Sequence, residues 1–282
     1  MRTRNSAISD GYKGMFWGLV VGDCLGSPIQ FSGKDQHPYI TEMEPCAIFS
    51  TPPGYWTDDS SMAFCIAESF VRLGRYDLAD IANNFARWYW DGFYSSLPRS
   101  FDVGKATALA CRSIRESGQL VNGSEDSQGN GSIMRMAPAI IMNHGNPSLA
   151  MLHEISDLTH NSKAVRQVVE RMAKVCDQHL AGEKTDLFSI YQSREQVNNS
   201  GWAVSTLEAA LWAFHSTADF ANGMLAAVNL GGDSDTIGAV YGQIAGAFYG
   251  YQDIPEKWLA KIKDRKKISQ LIEALIKLKL RL

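Results

Sequence analysis

The chain has 282 residues, 45% hydrophobic and 20% charged, a balance that excludes extended disorder and supplies enough apolar material for a large core. Its formal net charge of −3 argues against nucleic acid as a partner, because such binding is built from Lys and Arg neutralising phosphates. No uncharged apolar run reaches the roughly 18 residues of a membrane span, and the start from Met1 to Ser6 lacks the apolar stretch of a leader, so a cytoplasmic protein with no membrane partner is expected.

Apolar residues recur at three- and four-residue spacing over roughly 10–24, 60–73, 77–90, 103–117, 133–143, 147–158, 163–181, 202–214, 218–229, 236–250 and 256–281. Strand alternation is scarce, so the spacing predicts an all-α fold, and the absence of a convincing linker predicts one domain over 1–282. Polar, glycine-bearing stretches at 32–57, 91–102, 118–132 and 182–201 are long for plain connections, and such loops often carry function.

The five cysteines Cys24, Cys46, Cys65, Cys111 and Cys176 are odd in number and show no C-x-x-C spacing, which points to reduced, mostly buried thiols. Gly238, Gly242, Gly246 and Gly250 recur every four residues, where each interior glycine costs about 1 kcal/mol relative to alanine. Placed on one helix face, they would let another backbone approach closely, so this helix is expected at the centre of a bundle. Residues 257–282 hold nine of the 27 basic residues against Asp264 and Glu273. Ile268, Leu271, Ile272, Leu275 and Leu278 form a core-facing stripe there, which favours a solvated C-terminal helix over a membrane-binding one.

Thr57, Asp58 and Asp59 stand just before the apolar run Met62-Ala63-Phe64-Cys65-Ile66 and are, alone, equally a helix-capping signature. Asp233, Asp235 and Thr236, after Gly231-Gly232, repeat the arrangement at the start of the glycine-faced helix. Two such clusters brought together would repel one another without cations, and Mg²⁺ or Mn²⁺ accepts oxygen donors of this kind. An EF-hand is excluded, since its twelfth loop position would be Ile244 where a bidentate Glu is required. Gly129-Asn130-Gly131-Ser132-Ile133-Met134-Arg135 precedes a helical run, where exposed amides favour a phosphate or form a mere turn.

Taken together, Gly22-Asp23-Cys24-Leu25-Gly26, Trp56-Thr57-Asp58-Asp59-Ser60, Asn130-Gly131-Ser132-Ile133-Met134-Arg135, Thr159-His160 and Gly231-Gly232-Asp233-Ser234-Asp235-Thr236-Ile237-Gly238 closely resemble the ADP-ribosylglycohydrolase family. The likeness spans nearly the whole chain and is nearest to the arginine-directed, dinitrogenase-reductase-activating type. It implies an all-α fold with a central binuclear site for two Mg²⁺ or Mn²⁺ ions, ligated by Thr57, Asp58, Asp59, Asp233, Asp235 and Thr236. The implied activity is metal-dependent removal of ADP-ribose from mono-ADP-ribosylated protein, most closely from arginine, for regulation or toxin immunity.

Asp102, in Asp102-Val103-Gly104-Lys105-Ala106-Thr107, resembles the family's catalytic aspartate and is the expected general base or nucleophile, with an N-cap as the competing reading. Asn130, Gly131, Ser132, Met134 and His160 match residues lining the ADP-ribose pocket, and Trp202 matches an aromatic stacked on adenine, though it also suits a core. Gln30 stands where many relatives carry glutamate. An amide cannot serve as a carboxylate base, though Gln30 keeps the shape and can bind substrate by hydrogen-bonding a ribose hydroxyl or metal-bound water; the chemistry falls more on Asp102 and the metals, and arginine linkage is favoured over serine. A monomer acting on an ADP-ribosylated protein is expected; the alternative is a non-catalytic ADP-ribose-binding or crystallin-like structural protein.

Overall fold

A computed structural model describes residues 4–282, with side chains from Ser6 onward. Met1, Arg2 and Thr3, part of the stretch in which no leader is expected, lie outside the described residues. The helices are α1 (Arg4–Gly26), α2 (Asp58–Leu73), α3 (Leu78–Asp91), α4 (Lys105–Ser117), α5 (Ala137–Asn143) and α6 (Ala150–Asp157). They continue with α7 (Lys163–Leu180), α8 (Ala203–Ser216), α9 (Phe220–Val228), α10 (Ser234–Tyr249), α11 (Glu256–Leu259) and α12 (Arg265–Lys279). Among the described residues there is no strand, only isolated bridges at Cys46–Thr51 and Gly129–Trp202. The fold is all-α, as the periodicity predicts.

The organising contact is an antiparallel pair, α1 against α10. A Cβ built on Gly18 would stand 2.2 Å from the Gly242 carbonyl oxygen, and one on Gly242 would stand 2.0 Å from that of Gly18. Gly14 meets Gly246 and Gly22 meets Gly238 in the same way, while Gly26 abuts Ser234 and Asp235. The expected close approach on the α10 face is therefore present. Its partner is a second four-residue glycine register on α1, Gly14, Gly18, Gly22 and Gly26. Gly250, just past α10 with φ +82°, continues the contact: a Cβ on Gly14 would lie 2.7 Å from its carbonyl carbon, and a Cβ on Gly250 would meet Asp10 of α1.

Around this pair, α10 packs on α7, α8 and α9, while α1 packs on α2, α5 and α12. The buried apolar residues form one contiguous cluster that runs through these helices. All five cysteines are buried and free, as expected.

Three predicted segments differ in extent. The first helix begins at Arg4 rather than near residue 10, its polar opening turn being invisible to apolar periodicity. The 133–143 segment divides into a 3-10 turn, Ile133–Arg135, and α5, whose Pro138 sits in the first turn where a missing N–H costs no helical bond. The 256–281 segment divides at Asp264, which adopts φ 50° between α11 and α12. Ile268, Leu271, Ile272 and Leu275 are buried, with Leu278 packed beside them, so the basic C-terminal helix is an ordinary core-facing one. No helix among the described residues is long and apolar enough to cross a membrane.

Candidate active site

The α1–α10 pair ends where Gly26 touches Ser234, and that end opens into a cleft of about 620 Å³. The starts of α2, α4 and α10 all reach it, through Asp58, Lys105 and Thr236. Three helix N-termini bring partial positive charge to one place, an environment that favours carboxylates and bound anions. Three of the four long polar stretches reach it too: Asp102 ends 91–102, residues 126–131 come from 118–132, and Gly201 ends 182–201.

The N-cap residues of the two acidic clusters do not cap their helices, although within the second cluster Asp235 Oδ1 accepts from Thr236 N at 2.9 Å. Thr57 is the N-cap of α2 and Asp233 that of α10, yet neither makes a side-chain cap hydrogen bond. The amides at the start of α2 are instead satisfied from α1. Asp23 accepts from Thr57 N at 2.9 Å, Thr57 Oγ1 at 2.9 Å, Ser60 N at 3.0 Å and Ser60 Oγ at 2.6 Å. Burial pushes the Asp23 carboxyl up to about 6, against these hydrogen bonds, which lower it. With α2 capped from outside, its own acidic side chains are left for another task.

Asp58, Asp233, Asp235, Thr236 and Asp102 line the cleft, while Thr57 and Asp59 are buried and joined by a 3.2 Å hydrogen bond. Burial raises the carboxyls of Asp58, Asp59 and Asp235 well above the usual range. Their negative neighbours push the same way: Asp102 and Asp59 on Asp58, Asp23 and Asp233 on Asp59, and Asp233 and Asp59 on Asp235. Asp59 Oδ1 is buried with no hydrogen-bond partner.

An all-oxygen, mutually repelling donor set with an orphaned buried acceptor fits hard divalent cations. Among the described residues no three His, Cys, Asp or Glu side chains already converge as a metal cage. Thr57 Oγ1 donates to Asp59 Oδ2 at 3.2 Å, which ties two of these groups together.

The loop before α10 needs its two glycines. Gly231 and Gly232 both have φ 65°, and a Cβ on Gly232 would stand 2.2 Å from Asn199 O. Asn199 O in turn accepts from Asp233 N at 2.9 Å, and Asn130 Nδ2 donates to Asp233 Oδ2 at 2.6 Å. Asn130 therefore holds Asp233 besides lining the cleft.

Asp102 has φ 56° and is not a cap: α4 has Gly104 as its N-cap, with no side-chain bond. Its Oδ2 accepts from Gln30 Nε2 at 2.9 Å. Burial raises the Asp102 carboxyl, and the bond from Gln30 opposes that shift.

His160 lines the cleft beside Gly129 and Gly131, where a Cβ on Gly131 would lie 2.8 Å from its Cε1. Burial, with the nearby Arg135 charge second, lowers its pKa to about 3, so it is a neutral hydrogen-bonding group at ordinary pH. Thr159 Oγ1 bonds His160 Nδ1 at 2.7 Å and accepts from Arg135 Nη2 at 2.6 Å. Gly131 and Met134 also line the cleft. Ser132 does not; its hydroxyl is buried against Ser156 Oγ at 2.8 Å. Trp202 is 62% exposed, which excludes the core alternative, and it flanks the cleft through its bridge to Gly129 without lining it.

Three supporting residues received no role from sequence reasoning. Asp23 and Arg135 belong to the sequence motifs, but each lies far along the chain from the residue it holds, Thr57 and Thr159 beside His160 respectively. Phe31, which also lines the cleft, follows Gln30 directly, and that adjacency was the available clue.

Fold and site together define an all-α protein with a carboxylate-rich cleft at a convergence of helix starts. Its sequence matches the model of the ADP-ribosylglycohydrolase family over residues 4–281, and the chain belongs to that family of hydrolases. It is 33% identical to an ADP-ribosylarginine hydrolase of Serratia proteamaculans (strain 568), covering 94% of this chain and 79% of that one. An ADP-ribosyl-[dinitrogen reductase] glycohydrolase of Rhodospirillum rubrum is 30% identical, with 96% and 97% covered. A solved structure described as an ADP-ribosylglycohydrolase-related protein complex superposes with TM-score 0.84 at 34% identity, over 96% of this chain and 99% of that one.

Proposed function

We propose that the cleft hydrolyses the N-glycosidic bond joining ADP-ribose to an arginine of a mono-ADP-ribosylated protein. The observation that carries this reading is the gathering of Asp58, Asp102, Asp233 and Asp235 on the wall of one 620 Å³ cleft. Likeness to relatives named ADP-ribosylarginine hydrolase and ADP-ribosyl-[dinitrogen reductase] glycohydrolase supports the substrate class.

Thr57, Asp58, Asp59, Asp233, Asp235 and Thr236 are the residues that would hold two Mg²⁺ or Mn²⁺ ions, which when bound supply Lewis-acid polarisation and acidify water. Asp102 is assigned as general base or nucleophile at the anomeric carbon, and its negative charge also favours the oxocarbenium-like character of glycoside cleavage. Gln30 orients Asp102. Asn130, Gly131, Met134 and neutral His160 are assigned to the ADP-ribose, and Ser132 to the shape of their segment. Trp202 is assigned to adenine from its exposed place beside Gly201.

The whole chain, 1–282, acts in this reading as one domain and as a monomer in the cytoplasm. It reverses a regulatory modification or the product of an ADP-ribosylating toxin. The test is release of ADP-ribose from a protein mono-ADP-ribosylated on arginine, with Mg²⁺ or Mn²⁺ present. Full turnover in excess chelator would sink the metal assignment. Tight ADP-ribose binding in calorimetry, without turnover of arginine-, serine- or O-acetyl-linked substrates, would mark a binding protein instead.

A further inference from the structure

Phe31 is a large apolar side chain held out in the open. It is 68% exposed, its backbone adopts φ 63°, and it lines the cleft. A non-glycine residue in that region is uncommon, and holding it there strains the backbone. The surroundings impose the conformation through two backbone hydrogen bonds. Phe31 N donates to Gly232 O at 2.6 Å, and Gly232 N donates to Ser32 O at 2.7 Å. The turn bearing Phe31 is thus stapled to the residue before Asp233, while the residue before Phe31 holds Asp102. No burial of its own ring repays the strain.

From this placement we infer that Phe31 is a specificity-determining residue that receives the leaving group, presenting its ring face to the cationic guanidinium of ADP-ribosylated arginine. The inference rests on the arginine reading above. Two observations place the ring at the leaving-group end. Its chain neighbour Gln30, bonded to Asp102, and its hydrogen-bond partner Gly232, next to Asp233, both adjoin the reacting carboxylates. The segment assigned to ADP-ribose, around Gly129, Gly131 and His160, belongs to other elements of the cleft wall. An aromatic face attracts a planar guanidinium electrostatically, and a ring carried on a hydrogen-bonded backbone turn is held beside the site before the guanidinium arrives. A neutral leaving group gains nothing comparable from it.

The experiment compares wild type with Phe31→Ala, Phe31→Leu and Phe31→Tyr. It measures steady-state kinetics on arginine-ADP-ribosylated protein and calorimetric affinity for free ADP-ribose. Because the ring is exposed, thermal melting is expected to show all three folded. Phe31→Ala and Phe31→Leu should raise KM roughly three- to tenfold with a smaller change in kcat, while Phe31→Tyr restores the wild-type KM. Affinity for free ADP-ribose, which carries no guanidinium, should be the same in all four proteins.

A Phe31→Leu enzyme equal to wild type would overturn the role of the aromatic face. An equal loss of ADP-ribose affinity would overturn the placement at the leaving-group end. If wild type releases ADP-ribose from arginine and Phe31→Ala matches it, the Phe31 assignment alone falls. If wild type neither binds ADP-ribose nor releases it, the functional reading falls with it.

Discussion

Gln30 Nε2 donates to Asp102 Oδ2 at 2.9 Å, fixing the orientation of a carboxylate that lines the cleft. The amide keeps the shape of a glutamate but supplies a donor where a carboxylate would supply repulsion. Asp102→Asn is expected to lower kcat by at least about 100-fold, and Gln30→Ala by about tenfold, through lost orientation. Gln30→Glu puts a like charge beside Asp102, raising its pKa further and shifting the acid limb of the pH–rate profile upward. A profile for Gln30→Glu that overlays wild type would show that the two side chains do not interact during turnover.

Asp23 makes a different prediction, because it acts on Thr57 and Ser60 rather than on substrate. It accepts four hydrogen bonds while fully buried, and asparagine has only one acceptor oxygen to offer them. Asp23→Asn is expected to lower unfolding stability by about 2–4 kcal/mol. It should also weaken Mn²⁺ binding by about 10–100-fold, as loss of a ligand-orienting partner does. Denaturant melts and Mn²⁺ titration check the two effects separately; unchanged Mn²⁺ affinity would remove Thr57 from the proposed ligand set.

The acidic clusters were legible because the same residue types recur at two helix starts, and type and spacing survive in a linear sequence. The freedom of Thr57 from capping duty was not legible, since the group that caps α2, Asp23, lies 34 positions from Thr57 and is brought there by α1. The glycines of α10 announced a close approach, whereas its counterpart required matching two registers more than 200 positions apart, Gly22 with Gly238 and Gly18 with Gly242. Periodicity also passes through breaks that do not disturb the apolar stripe, which is why Asp264 and the Ile133–Arg135 turn were absorbed into longer helices. Trp202 and Ser132 carry a related lesson: motif membership locates a segment, but the direction of each side chain is set by packing the motif does not contain.

The glycine pairing has a graded consequence. Gly18→Ala and Gly246→Ala each drive a methyl to about 2 Å from a facing backbone oxygen, which no rotamer change relieves. Each is expected to cost about 1–3 kcal/mol or more, read from chemical denaturation. Gly22→Ala makes the same clash against Gly238, yet it adjoins Asp23, and Gly238 lies three positions from Asp235. It should therefore lower kcat/KM well beyond Gly246→Ala at equal loss of stability. Equal activity in the two variants would show that the helix separation at one end does not govern the cleft.

Stability should fall in acid through a histidine remote from the cleft. His179 is buried beside Phe214 and Phe248, with Nδ1 bonded to Ile244 O at 2.7 Å and Nε2 unpartnered. Burial lowers its pKa to about 4, outweighing the Nδ1 bond to the Ile244 carbonyl, which favours the protonated ring, so the folded state holds the neutral ring above that pH. In the unfolded chain the ring takes a proton near its ordinary value of about 6.5. The unfolded state thus binds more protons throughout that interval, so this contribution is complete above about pH 6.5 and disappears as pH falls toward 4. Titrating carboxylates act over the same range, and comparison with a variant separates them. His179→Gln keeps a donor for Ile244 O and removes the titration, so it should flatten the dependence of unfolding free energy on pH between about 6.5 and 4 by up to one proton. Parallel curves for wild type and His179→Gln would place the acid sensitivity elsewhere, with His160, whose pKa is lowered to about 3, as the next group to substitute.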